Sequence, residues 1–98
     1  IMPSEGQHGR DTMPQISRFF GVTVTMYYND HLPPHFHAEY GEFEAVYAID
    51  TLEIVRGRLP RRAHAMVVEW AIQHRPDLRE NWYRARDDLA LQDIDPLD

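Results

Sequence analysis

The chain has 98 residues, 43% of them hydrophobic, and a net charge of −6 from sixteen acids and ten arginines, with no lysine and no cysteine. That length sets one small domain with a single core, and the apolar content excludes an intrinsically disordered chain. Without cysteine there are no disulfides, thiolate nucleophiles or thiolate-held zinc, which fits a reducing cytoplasm; the acidity argues against general nucleic-acid binding, and no apolar run approaches the ~20 residues of a membrane helix.

Residues 1–12 hold Ser4, Gly6, Gln7 and Gly9 with no apolar periodicity, and read as a flexible extension. The domain then runs over residues 13–98. Ile16 to Phe20 is a short strand, broken by Gly21. Val22 to Tyr28 is β-branched and aromatic with alternation, the strongest strand signal in the chain. Asn29-Asp30 is turn chemistry, and Pro33-Pro34 cannot donate to a ladder, so both belong to a connection. His35 to Tyr40 reads as the returning strand, with Gly41-Glu42 turning again. Phe43, Ala45, Tyr47 and Ile49 alternate with Glu44, Val46, Ala48 and Asp50 in a third major strand; Leu52 to Val55 forms a further one, ended by Gly57. Short strands with short turns imply an antiparallel meander of four to five strands.

The period then changes. Ala63, Met66, Val67, Trp70 and Ala71 follow the template of a core-facing helix, with Pro60 at its start. Pro76 stops that helix and, with Asp77, opens a second. Leu78, Trp82, Ala85 and Leu89 form the second helix's apolar stripe, and Glu80 and Arg84 pair on its outside. Strands first and helices after predict an α+β domain, with the two helices on one face of the sheet.

Chemistry concentrates in Asn29 to Glu39, where His31, His35 and His37 fall within seven residues. On a strand, His35, His37 and Glu39 share one face. Three imidazoles could hold a divalent metal such as zinc, with Asp30 or Glu39 adding an oxygen or orienting a ring. The same residues suit a metal-free catalytic or anion site, or a polar structural turn. Arg56, Arg58, Arg61 and Arg62 form a second cluster. If Arg58, Arg61 and Arg62 lay beside the histidines, they would clamp a phosphate while His31, His35 and His37 moved protons on RNA. The bland alternative for the arginines is a solvated turn and helix start.

Met13 to Gly21, Tyr28 to Tyr40, Asp50 to Glu53, Gly57 to Ala63, Glu69 to Ala71, His74-Arg75, Glu80 to Trp82 and Ile94 to Leu97 together resemble a small bacterial family, domain of unknown function 4160 (DUF4160). The family's starting methionine matches Met13, in keeping with an extension before it. His64 departs from the family's usual aliphatic residue; the histidine turn matches in full. The resemblance implies a partner, a second small protein encoded nearby, in a pair that looks like a toxin–antitoxin module. The expected function is therefore one component of such a two-protein module, acting through partner binding. The alternative is a small hydrolase or ribonuclease using His31, His35 and His37, with RNA as the partner; a purely regulatory module and a further copy of the chain complete the options.

Overall fold

The computed structural model describes residues 14–98, so the extension read over residues 1–12 lies outside the described residues. Among the described residues, five strands precede two helices: β1 (Gln15–Phe19), β2 (Val22–Thr25), β3 (His35–Tyr40), β4 (Phe43–Ala48), β5 (Ile54–Arg58), α1 (Arg61–Gln73) and α2 (Arg75–Arg86). The strands form one sheet in chain order, every neighbour antiparallel. This is the α+β meander that the sequence pattern predicts.

Two tight turns set the register. Phe20 and Gly21 both adopt positive φ, 46° and 85°, as a two-residue hairpin of the primed type requires, which places Phe19 opposite Val22. Gly41, at φ 61°, opens the two-residue turn that pairs Tyr40 with Phe43. From that pair outward, Ala38 faces Ala45 and Phe36 faces Tyr47, all four fully buried. Their side of the sheet carries the helices: the Trp70 ring of α1 lies 5.4 Å from Phe19 and 6.0 Å from Phe36. Ala63, Val67, Trp70 and Ala71 of α1 and Leu78, Asn81, Trp82 and Ala85 of α2 are the buried helical positions, close to what the helical spacing predicts, with Met66 only partly buried against them.

Several boundaries differ from the sequence reading: β1 ends at Phe19 rather than Phe20 and β4 at Ala48 rather than Asp50. β2 stops at Thr25 because Met26 turns into the core, its N–H donating to the Pro14 carbonyl at 3.2 Å, and Asn29 takes a left-handed φ of 54°. Leu52 sits in a turn at φ 63° rather than in a strand, its N–H donating to the Ala48 carbonyl at 2.8 Å. Gly57 lies inside β5, opposite Ala45, rather than ending it. α2 ends at Arg86, leaving Leu89 half-exposed off the apolar stripe. The chain beyond α2 has no regular structure but is pinned: Asn81 exchanges hydrogen bonds with the backbone of Gln92, Ile94 N–H donates to the Ile16 carbonyl, and Trp70 Nε1–H to the Asp95 carbonyl. No helix of the described residues is long and apolar enough to cross a membrane.

Candidate metal centre

β3 alternates. Phe36 and Ala38 face the helices, so His35, His37 and Glu39 project from the opposite side. The connection from Tyr27 to Pro34 returns beside this row. It brings Asp30 to the two histidines, so that one donor atom each from Asp30, His35 and His37 lies within 4.8 Å of the others.

Both rings are fixed through Nδ1. His35 Nδ1–H donates to the Pro33 carbonyl at 2.7 Å. His37 Nδ1–H donates to Glu44 Oε2 at 2.9 Å. Glu44 comes from β4, where it faces Glu39 and so stands diagonal to His37 on the same side of the sheet. A carbonyl or carboxylate only accepts, so His37, as a neutral ring, presents a bare Nε2, whereas His35 donates from both nitrogens, Nδ1–H to Pro33 and Nε2–H to Asp30 Oδ2, and would give up the second proton on taking a cation. The two Nε2 atoms converge on one carboxylate oxygen, Asp30 Oδ2, at 2.9 Å from His35 and 3.8 Å from His37. His37 Nε2 is buried and has no hydrogen-bond partner in the protein. Trp82 walls the site 5.1 Å from the His35 ring, and Tyr27 stands edge-on to His37 at 4.5 Å.

The electrostatics favour a cation. Burial alone would raise the Asp30 carboxyl, but the His31 backbone N–H, the hydrogen bond from His35 and the imidazole charges outweigh it and hold the group below its ordinary value. The Tyr27 phenol is pushed up, first by burial and then by the negative charges of Glu44, Glu39 and Asp30. One carboxylate, Asp30, and the Nε2 atoms of His35 and His37 form a three-ligand donor set for a divalent ion once His35 releases its Nε2 proton, with the Nδ1 atoms already committed to orienting partners. Metal bonds of about 2.0–2.1 Å in tetrahedral geometry set donors roughly 3.3 Å apart; the 2.9 Å and 3.8 Å separations to Asp30 straddle that value and all three donors lie within 4.8 Å of one another, so the rings as well as Asp30 would draw together round an ion.

The other sequence candidates fall elsewhere. His31 is at the rim, its side chain 77% exposed and its Nε2 3.8 Å from the second Asp30 oxygen. Arg58 stands opposite Glu44 in the β4–β5 register, with its guanidinium 4.9 Å from the Phe43 ring centre. Arg61 and Arg62 are exposed at the start of α1, the helix whose Trp70 packs on the Phe36 side of the sheet; they do not converge with His37. Asp30 was among the oxygen donors that the sequence suggested. Glu44 was not singled out, although the tight Gly41-Glu42 turn carries the signal: closing at Tyr40 and Phe43 puts Glu44 diagonal to His37. Beside the centre, Leu32, Pro34, Trp82, Tyr83, Arg86 and Asp87 line a groove of about 470 Å³.

Fold and site define a small α+β protein with a buried imidazole–carboxylate cluster on the sheet face opposite Phe36, flanked at its end by Trp82 of α2. The chain belongs to the family described as Domain of unknown function (DUF4160), which matches residues 21–83. That span includes Asp30, His35, His37 and Glu44. No curated protein and no solved structure matches the chain.

Proposed function

We propose that the protein is a small metal-dependent hydrolase whose Asp30, His35 and His37 hold a divalent cation such as zinc. The observation that carries this reading is His37 Nε2, a buried ring nitrogen with no protein partner, directed at the carboxylate that already binds His35. Asp30, His35 and His37 would hold the ion as three protein ligands, and the chemistry it would supply there is the activation of water for hydrolysis. His31, exposed beside Asp30, would exchange protons with a substrate held there. An RNA phosphodiester is one such substrate. The test is elemental analysis of the purified protein, followed by assay of the zinc-, manganese- and iron-loaded forms on phosphodiester and ester substrates. Turnover that disappears in His37→Ala supports the reading; a loaded protein inert on every substrate class removes the hydrolase assignment and leaves a binding role.

A second reading, partner binding within a bacterial, cytoplasmic two-protein module of toxin–antitoxin type, is favoured by the groove beside the centre. Its flanks include Leu32 and Tyr83, which are 62% and 63% exposed, more apolar surface than a lone surface position needs. Copurification with the protein encoded alongside, lost on Leu32→Asp, separates this reading from the first.

A further inference from the structure

We propose that Glu44 is the positioning residue of the centre: its hydrogen bond fixes the His37 tautomer and thereby the metal affinity. This rests on the metal-binding reading of Asp30, His35 and His37. The two rings are oriented by different means. His35 Nδ1–H is held by a main-chain carbonyl, that of Pro33, which no side-chain substitution removes. His37 Nδ1–H is held by a side chain alone, through Glu44 Oε2 at 2.9 Å. A neutral imidazole carries one proton, so whichever nitrogen donates outward decides which one offers a lone pair inward.

With Glu44 in place, His37 carries its proton on Nδ1 and points Nε2 at Asp30 Oδ2, 3.8 Å away. Without it, the proton moves to Nε2, where the Asp30 carboxylate accepts it, and the ring no longer binds a cation from that side. Glu44 is well sited for this task. It lies diagonal to His37 across the β3–β4 ladder, and Arg58 stands opposite it on β5. The β5 backbone also runs flush against it: a Cβ added at Gly57 would lie 2.2 Å from the Glu44 carbonyl oxygen. Glu44 is therefore located by backbone contacts from both neighbouring strands, and its half-exposed carboxylate reaches one buried ring.

The experiment compares Glu44→Ala and Glu44→Gln with the unmodified full-length chain, using zinc calorimetry and nitrogen NMR of the histidine rings. Glu44→Ala should lower zinc affinity about 10–100-fold, the range for an orienting partner of a ligand, and move the His37 proton from Nδ1 to Nε2 in the metal-free protein. Glu44→Gln keeps an oxygen that accepts from Nδ1–H and should recover most of both. Equal zinc affinity in Glu44→Ala and the unmodified chain overturns the proposal. So does a Glu44→Gln variant as impaired as Glu44→Ala, which would assign the effect to charge alone. If the unmodified chain binds no divalent ion, the metal reading itself fails, and the metal-free spectra still decide the tautomer role: an unchanged His37 ring in Glu44→Ala removes it.

Discussion

His37 illustrates how one atom can carry a functional argument. Leaving a buried polar atom unpaired costs about 1–3 kcal/mol, and Nε2 is such an atom on a ring whose other nitrogen is fully committed. Contrast Tyr47, also buried, whose hydroxyl shares a 2.8 Å hydrogen bond with His64 Nδ1 and whose ring stacks between Phe36 and His64. His64 thus serves the core, not the centre. Burial pushes the Tyr47 phenol from 10.0 up to about 12. A pKa raised in the folded state means that the stability it contributes is fully present below pH 10 and is lost as pH rises from 10 towards 12. Urea unfolding of the native chain should therefore lose on the order of 2 kcal/mol more than Tyr47→Phe across that window. Parallel pH profiles for the two proteins would show that the phenol is not desolvated.

At the scale of elements, β5 and α2 are the sensitive ones. Gly57 has φ 78°, and an added Cβ would meet the Glu44 carbonyl. Gly57→Ala should cost about 1–3 kcal/mol for the left-handed backbone alone, with the contact adding to it. It should also weaken zinc binding, because the displaced carbonyl belongs to Glu44. Loss of stability with native zinc affinity would separate β5 from the centre. Trp82, 3% exposed, joins the core to the wall of the site; Trp82→Ala should cost about 3–5 kcal/mol in urea unfolding, and a change below about 1 kcal/mol would contradict its burial. Strand alternation and helical spacing made β3, β4, α1 and the inner stripe of α2 legible in the sequence, because alternate side chains there divide between the helix-side core and the opposite face. Gly57 was misread because glycine commonly ends a strand, and only its regular pairing with Ala45 shows that β5 runs through it. Met26 and Leu52 were misplaced for a related reason: apolar residues in turns are buried by tertiary contacts, which local patterning does not report.

For the molecule as a whole, the sheet closes on the terminal segment rather than on the helices alone. Ile94 is 6% exposed, donates its N–H to Ile16 on edge strand β1, and lies between the Asn81–Gln92 and Trp70–Asp95 hydrogen bonds. This segment reads as an acidic run in the sequence, and its docking depends on buried amide and indole donors that composition hides. Ile94→Ala should cost about 2–4 kcal/mol by urea unfolding; a value near zero would mean that the segment is dispensable.

The site was legible as a histidine turn, and His35 and His37 as neighbours on one face. That Asp30 completes the set, and that the Arg61 and Arg62 pair stands apart, depended on how the Tyr27 to Pro34 connection folds and on which sheet face α1 covers. The central claim is a divalent ion held by Asp30, His35 and His37, and zinc titration calorimetry tests it most directly. The account predicts one zinc per chain, an affinity lowered by more than the about 10–100-fold expected of an orienting partner in His37→Ala and in Asp30→Asn, and an unchanged affinity in Arg61→Ala. Zinc binding that survives His37→Ala at native affinity, or no binding by the unmodified chain, would contradict it.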